Sequence, residues 1–519
     1  MQNESIMLST VKSVAFSGIE VQEIEVQTHI GAGLPCFNIV GLAAKSIAES
    51  RDRVRAVFNS IGFGLPAKRI TINLAPADII KSGTHFDLCI ALSILVAMEV
   101  IAQEEIGNFV ILGELSLNGS IRHVNGVLPA AIKATEIGCG VICPSMNIRE
   151  VSYSGNKNII VASHIVELVN HLKGRELISN QRYADSYLKE EKSTEHNKDF
   201  SDVKGQILAK RGMEIAAAGG HHVLMVGPPG SGKSMLASRL HTIMPPLTVE
   251  EQLETTIIAS LAGILRPENG LITERPFREP HSSCTTPAMI GGGKDASPGE
   301  VTLSHLGILF LDEMPEFGRG TLESLRQPIE AKYVQIARVN NHVAYPAKFQ
   351  LVGAMNPCKC GYFGSKNVDA ICKKAPSCAI DYQNRISGPL LDRFDLQVTM
   401  NDEYHSFHSE QREESSCLIL QRVIAARELQ RERNVRNGRT YLNSELEGEL
   451  LHDVTKMDEE GEKLFLKIVE KFYFSSRSIN KLKKVARTIA DLKQSTSRLS
   501  KYDLSEALNY RVLNDRKMK

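Results

Sequence analysis

Apolar and polar residues alternate with period two, or apolar residues run together briefly, in three early stretches, and both patterns predict strands. Residues 20–26 read EVQEIEV, a half-buried strand pattern, and 69–74 (RITINL) and 109–113 (FVILG) read as further strands. Between them, 43–61 carries apolar residues at helical spacing with charges on one face, which predicts an amphipathic helix. The longest apolar run, 88–102, contains Glu99. It falls short of the roughly 20 residues a membrane-spanning helix needs and predicts a buried helix instead. An α/β or α+β domain over 1–172 is expected. From 175 to 200 the composition turns polar, and 179–200 reads SNQRYADSYLKEEKSTEHNKDF. So few apolar residues predict a linker over 173–200, with a charged surface helix as the alternative.

Short apolar runs return at 222–226 (HVLMV), 307–311 (GILFL) and 349–355 (FQLVGAM), each predicted as a buried strand of an α/β core over 201–402. Within it, 332–345 holds two alternating runs around Val339-Asn340-Asn341-His342, the pattern of a β-hairpin. After 403 the spacing turns helical: 418–433, 446–454, 461–472, 477–492 and 501–513 predict a helical bundle over 403–519.

A length of 519 residues suits about three domains. Net charge is +1, so no global basic field points to nucleic acid, although a local basic channel in a ring remains compatible. The start, MQNESIMLST, lacks a basic region ahead of an apolar core, so no signal peptide is expected. The ten cysteines are unevenly placed, unlike a secreted disulfide framework. A cytoplasmic protein with no membrane partner is the expectation.

Chemistry enters at Gly227-Pro228-Pro229-Gly230-Ser231-Gly232-Lys233-Ser234, a complete G-x-x-x-x-G-K-S match between a predicted strand and a predicted helix. Glycines let backbone N–H groups face a phosphate, and the helix N-terminus adds its dipole. Lys233 then reaches the β- and γ-phosphates of ATP, and the Ser234 hydroxyl ligates Mg²⁺. The strand at 307–311 ends in Asp312-Glu313. Asp312 is placed to hold Mg²⁺ through water, and Glu313 to polarise the attacking water. Asn356 ends the strand at 349–355 and is a candidate to orient that water. Arg393, in Ser387-Gly-Pro-Leu-Leu-Asp-Arg-Phe-Asp395, is a candidate arginine finger acting on a neighbour. Arg477 opens a predicted helix and is a candidate to reach the γ-phosphate from a helical lid. The competing reading of each arginine is a surface ion pair.

This order of motifs resembles an AAA+ P-loop ATPase. Arg275-Pro-Phe-Arg-Glu-Pro-His-Ser-Ser283, Ile290-Gly-Gly-Gly293, Pro298-Gly-Glu300, Leu325-Arg-Gln-Pro-Ile-Glu330 and Ala354-Met-Asn-Pro-Cys-Lys-Cys-Gly-Tyr362 narrow it. Together with Thr71-Ile-Asn-Leu-Ala-Pro-Ala-Asp78 and Leu112-Gly-Glu-Leu-Ser-Leu-Asn-Gly119, they resemble the Mg-chelatase-like YifB/ComM family over nearly the whole chain. The resemblance implies an AAA+ core with a helical lid, preceded by a Lon-protease-like (S5-type) domain. It implies a homo-hexamer with ATP at subunit interfaces, and a helicase that migrates branched DNA in natural transformation or recombination. The alternative is a magnesium-chelatase-type motor subunit acting on a protein partner. The resemblance also places His85 where a Lon-type protease has its serine, and Leu128 where it has its lysine. A site with neither nucleophile nor base predicts no proteolysis.

Cys358, Cys360, Cys372 and Cys378 lie in an insert over 356–380. Two readings stay open: a tetrahedral Zn²⁺ site, or four reduced thiols in a loop. The spacing is tight in the first pair and loose in the second, where the family often has a further cysteine and this chain has Lys374. Related rings point a hairpin into the pore, which would bring Arg338 and His342 to the phosphates of single-stranded or branched DNA. An ordinary exposed hairpin is the other reading. Lys481-Leu-Lys-Lys484 with Arg487 reads as a second DNA contact or as a solvated helix face.

Overall fold

The structure is a computed structural model describing residues 7–180, 198–268, 270–293, 296–337, 342–363, 372–400, 413–436, 438–472 and 474–511. Most of the predicted linker, at 181–197, lies outside the described residues.

Seven strands form the first sheet, in the order Cys36–Val40, Arg69–Ala75, Glu20–Gly31, Met7–Ser17, Phe109–Ile111, Gly140–Pro144, Ile159–Ala162. Period-two alternation puts Ile24, Val26 and Ile30 on the buried face of Glu20–Gly31. The long apolar run becomes the helix Phe86–Ala97, in which every residue is buried. That is why its sequence shows no polar face.

Five parallel strands form the second sheet, in the order Phe277–Arg278, Ile308–Leu311, Gln350–Met355, Val223–Val226, Leu396–Thr399. The middle strands are buried along their full length, as expected of a parallel sheet covered on both faces. Helices Ile207–Gly219, Ser416–Arg433 and Ser476–Leu492 share one apolar cluster with this sheet through Met213, Val423, Val485 and Ile489.

The predicted hairpin is present as Tyr333–Ala337 and His342–Pro346, in register from Tyr333↔Pro346 to Ala337↔His342. Val334, Ile336, Val343 and Tyr345 are buried against the second domain's core. The turn between the first two strands also reaches it, since a Cβ on Gly18 would lie 2.5 Å from Val343 Cγ1. The two sheets are further joined at helix Val249–Ala262. There the buried Ser260 hydroxyl accepts from the Gly126 N–H at 3.0 Å and donates to Glu150. No helix among the described residues is long and apolar enough to cross a membrane.

Candidate nucleotide site

Parallel register fixes which residues leave the second sheet together. Val226 pairs with Met355 and Leu311 with Gly353, so Gly227, Asp312 and Asn356 all emerge at the C-terminal edge. This is the edge where ligands bind in open α/β sheets. The chain turns after Val226 through Gly232, at φ 87°, into the helix Lys233–Ala237. A side chain at that φ would be strained, which accounts for the glycine. Lys233 Nζ donates to the Gly227 and Pro228 carbonyls, both at 2.8 Å, and to Asn356 Oδ1 at 3.2 Å. Ser234 Oγ donates to Asp312 Oδ2 at 2.6 Å. The Glu313 N–H donates to Asp312 Oδ1 at 2.8 Å. Glu313 itself sits at φ 46°, left-handed for a non-glycine. Such a conformation costs about 1–3 kcal/mol and tends to mark functional positions.

Residues 199–407 match the family model "Magnesium chelatase, subunit ChlI". Residues 26–147 match "Subunit ChlI of Mg-chelatase", and 413–511 match "Magnesium chelatase, subunit ChlI C-terminal". The chain is 39% identical over 510 residues to the uncharacterized protein YifB of Escherichia coli, covering 98% of this chain and 97% of the relative. It is 39% identical over 514 residues to the competence protein ComM of Haemophilus influenzae, covering 98% of each. The chain belongs to the Mg-chelatase-like YifB/ComM family.

Membership makes it an AAA+ ATPase using ATP and Mg²⁺. The residues present fit the metal: a hydroxyl and a carboxylate at hydrogen-bond distance form a hard-oxygen pair, the donor type Mg²⁺ prefers. Ser234 and Asp312 would hold it, and its charge would offset that of the phosphates.

In this YifB/ComM chain the two candidate arginines lie at the opposite edge of the sheet. Arg393 and Arg477 both line a cavity of about 790 Å³ with Glu330, Lys332, Lys348 and Lys481. The same cavity touches His222, Gly307 and Gln350, at the N-terminal ends of the strands. A four-residue strand spans roughly 13 Å, so neither arginine faces its own chain's phosphate loop. Arg393 Nη2 pairs with Glu330 Oε1 at 2.5 Å, and its Nη1 donates to the Pro389 carbonyl at 3.2 Å. Helix Ser476–Leu492 is fastened to this edge by Lys481–Asp395 at 3.0 Å and by His221 to Thr488 at 2.8 Å. Arg477 therefore starts a helix seated away from the phosphates of its own chain.

The same contacts correct the reading of the 481–487 basic run. Lys481 pairs with Asp395, Lys484 donates to the Ser444 carbonyl at 2.8 Å, and Arg487 is 2% exposed beside Asp491. Lys481 ties the helical segment to the sheet, while Lys484 and Arg487 make their contacts within that segment. They form neither a DNA face nor a solvated one.

The Sγ atoms of Cys358, Cys360, Cys372 and Cys378 all lie within 4.8 Å of one another. Tetrahedral Zn–S bonds of about 2.3 Å put sulfurs roughly 3.8 Å apart, so the four fit such an ion. The Tyr362 backbone N–H, and then the Cys358 thiol, bring the Cys360 pKa down to about 7. Part of the insert, 364–371, lies outside the described residues, and so does Arg338. His342 opens the second hairpin strand, with its side chain outside the described residues.

His85 and Leu128 occupy packing positions. His85 is 5% exposed, tilted against Phe16 and Phe86, with Nε2 2.9 Å from the Val14 carbonyl. Burial brings its pKa down to about 4. The Leu128 N–H donates to Glu150 at 2.9 Å.

Glu279 is a residue the motifs did not single out. Phe277–Arg278 pairs in parallel with Ile308–Leu309, so Glu279 leaves the sheet beside the strand that ends in Asp312. Burial, and then the Asp312 charge, hold its carboxyl above the usual range. A two-residue strand leaves no periodicity to read, so only the register exposes the neighbour.

Proposed function

We propose that the chain is a motor that hydrolyses ATP between adjoining copies of itself, in a hexameric ring, and moves single-stranded or branched DNA. What supports this is the split of the site. Lys233, Ser234, Asp312 and Asn356 gather at one edge of the sheet, and Arg393 and Arg477 gather at the other. A ring brings one copy's arginines to the next copy's phosphates and unites both halves. In that arrangement Glu313 activates water, Asn356 orients it, and Arg393 and Arg477 stabilise the charge that develops on the leaving phosphates. The residue boundaries follow the sequence reading: a first domain over 1–172 of Lon-like type without its dyad, a linker over 173–200, a core over 201–402 and a helical lid over 403–519.

The Haemophilus relative is a competence protein, which supports DNA as the polymer. The hairpin at 333–346 is then the element that meets phosphates, with Arg338 and His342 as the proposed contacts. The cysteine cluster holds Zn²⁺, which would stiffen the insert.

Turnover of ATP by the purified chain, with and without single-stranded and forked DNA, tests this reading. DNA is expected to raise turnover, and forked duplex is expected to separate. Turnover that no DNA changes, with no strand separation, would overturn the DNA motor.

A further inference from the structure

One carboxylate holds both ends of the hairpin. Lys332 immediately precedes Tyr333–Ala337, and Lys348 follows His342–Pro346 by two residues. Glu445 Oε1 pairs with Lys332 Nζ and with Lys348 Nζ, the latter at 3.4 Å. Its other oxygen, Oε2, accepts the Leu442 N–H at 3.0 Å, so its own turn orients it. Burial alone would raise this carboxyl. The Lys348 and Lys332 charges outweigh that and keep it below the usual carboxylate range.

The turn that carries Glu445 is wired into the C-terminal helical segment. Asn443 N–H donates to Gln430 Oε1 at 2.9 Å, and Asn443 Nδ2 donates to Asp491 Oδ2 at 2.7 Å. Glu445 therefore follows helices Ser416–Arg433 and Ser476–Leu492 when they move. A second tie meets the same root. Glu330, two residues ahead of Lys332, pairs with Arg393 at 2.5 Å. The backbone leaves little slack between the two ties, because Lys332 N–H donates to Pro328 O and Ala347 N–H donates to Lys332 O, both at 2.8 Å.

We infer that Glu445 is a positioning residue that fastens the hairpin to the helical segment, while Glu330 fastens the same root to the arginine that meets the neighbour's nucleotide. A change in either partner then reaches the hairpin through charged contacts at its base. The hairpin strands are packed on the core by Val334, Ile336, Val343 and Tyr345, so a shift of the root tilts them as a unit. This inference rests on the motor reading for its purpose. The contacts themselves are independent of it.

The test compares the full-length chain with Glu445→Gln and with the exchange Lys332→Glu/Lys348→Glu/Glu445→Lys. The exchange keeps the alternation of sign, since residue 445 contacts both 332 and 348 and the new Lys there meets a new Glu on each side. Two readouts are taken: amide hydrogen exchange over 333–346 with and without a non-hydrolysable ATP analogue, and the ratio of DNA-stimulated to DNA-free ATP turnover. In the parent chain the analogue is expected to change exchange over 333–346. In Glu445→Gln that exchange is expected to be about threefold faster and indifferent to the analogue, because an ion pair with half-exposed lysines is worth a factor of this order. DNA-free turnover is expected to stay within about twofold while the stimulation ratio falls toward one. The exchange variant is expected to recover both. If Glu445→Gln keeps the parent's nucleotide-dependent exchange, or the exchange variant recovers nothing, the inference is overturned. A parent chain that no DNA stimulates sinks the motor reading instead, and the exchange experiment still decides the role of Glu445.

Discussion

Glu313 and Asp312 show how one backbone conformation gives two adjacent carboxylates different surroundings. The Asp312 side chain is engaged on both oxygens, by the Ser234 hydroxyl and by the Glu313 N–H. Glu313 steps out of the strand at φ 46°, which frees its side chain from the line of the sheet. Glu313→Gln removes the proposed base and keeps the shape. Hydrolysis is expected to drop at least about 100-fold, the typical share of general-base catalysis. Nucleotide affinity, measured with a fluorescent ATP analogue, is expected to stay near the parent value. Turnover that survives the change would remove Glu313 from the role of base. The acid pair was legible because it follows an apolar strand and a complete phosphate loop. Glu279 was not, because the family motif that contains it carries no sign of its place, and only the neighbouring strand's register brings it beside Asp312.

Between residue and molecule, the insert after Asn356 joins two elements that look unrelated in sequence. Cys358 and Cys360 follow Asn356 closely, and Gly361 lies against the phosphate loop. A Cβ there would come 2.6 Å from Pro229 Cδ. The thiol cluster therefore stands directly on the loop that cradles phosphate. The purified chain is expected to carry about one Zn²⁺ per copy, given four converging thiolates. Stripping the metal, or making Gly361→Ala, is expected to weaken ATP binding severalfold by disturbing Pro229. Metal content by atomic absorption and nucleotide affinity by titration check the two halves. Metal-free chain with unaltered affinity would disconnect the cluster from the loop. Sequence spacing left a zinc site and loose thiols equally open, since the second pair is spaced loosely. The fold brings Cys372 and Cys378 to the first pair, a long-range closure that spacing does not encode.

At the scale of the whole molecule, the parallel sheet has two working edges, and a single copy offers its phosphate loop at one and its arginines at the other. Mixing Arg393→Ala chains with Glu313→Gln chains is expected to restore part of the turnover that each lacks alone. Some interfaces in the mixture then combine an intact Glu313 with a neighbour's intact Arg393. ATP turnover measured across mixing ratios reads this out, and a flat line near zero would place Arg393 outside the neighbour's site. The sequence by itself determined the local chemistry. The phosphate loop, the acid strand, the buried helix Phe86–Ala97 and the hairpin each declare themselves through spacing and periodicity within a few dozen residues. Only the tertiary structure decided which edge each arginine occupies, that Lys481 is half-buried in an ion pair with Asp395 and Arg487 buried beside Asp491, and that Glu445 joins both ends of the hairpin. The physical reason is range. Periodicity follows from backbone geometry that repeats every two or 3.6 residues. An ion pair between Lys332 and Glu445 depends on the packing of a helical segment over a sheet edge more than a hundred residues away in the chain.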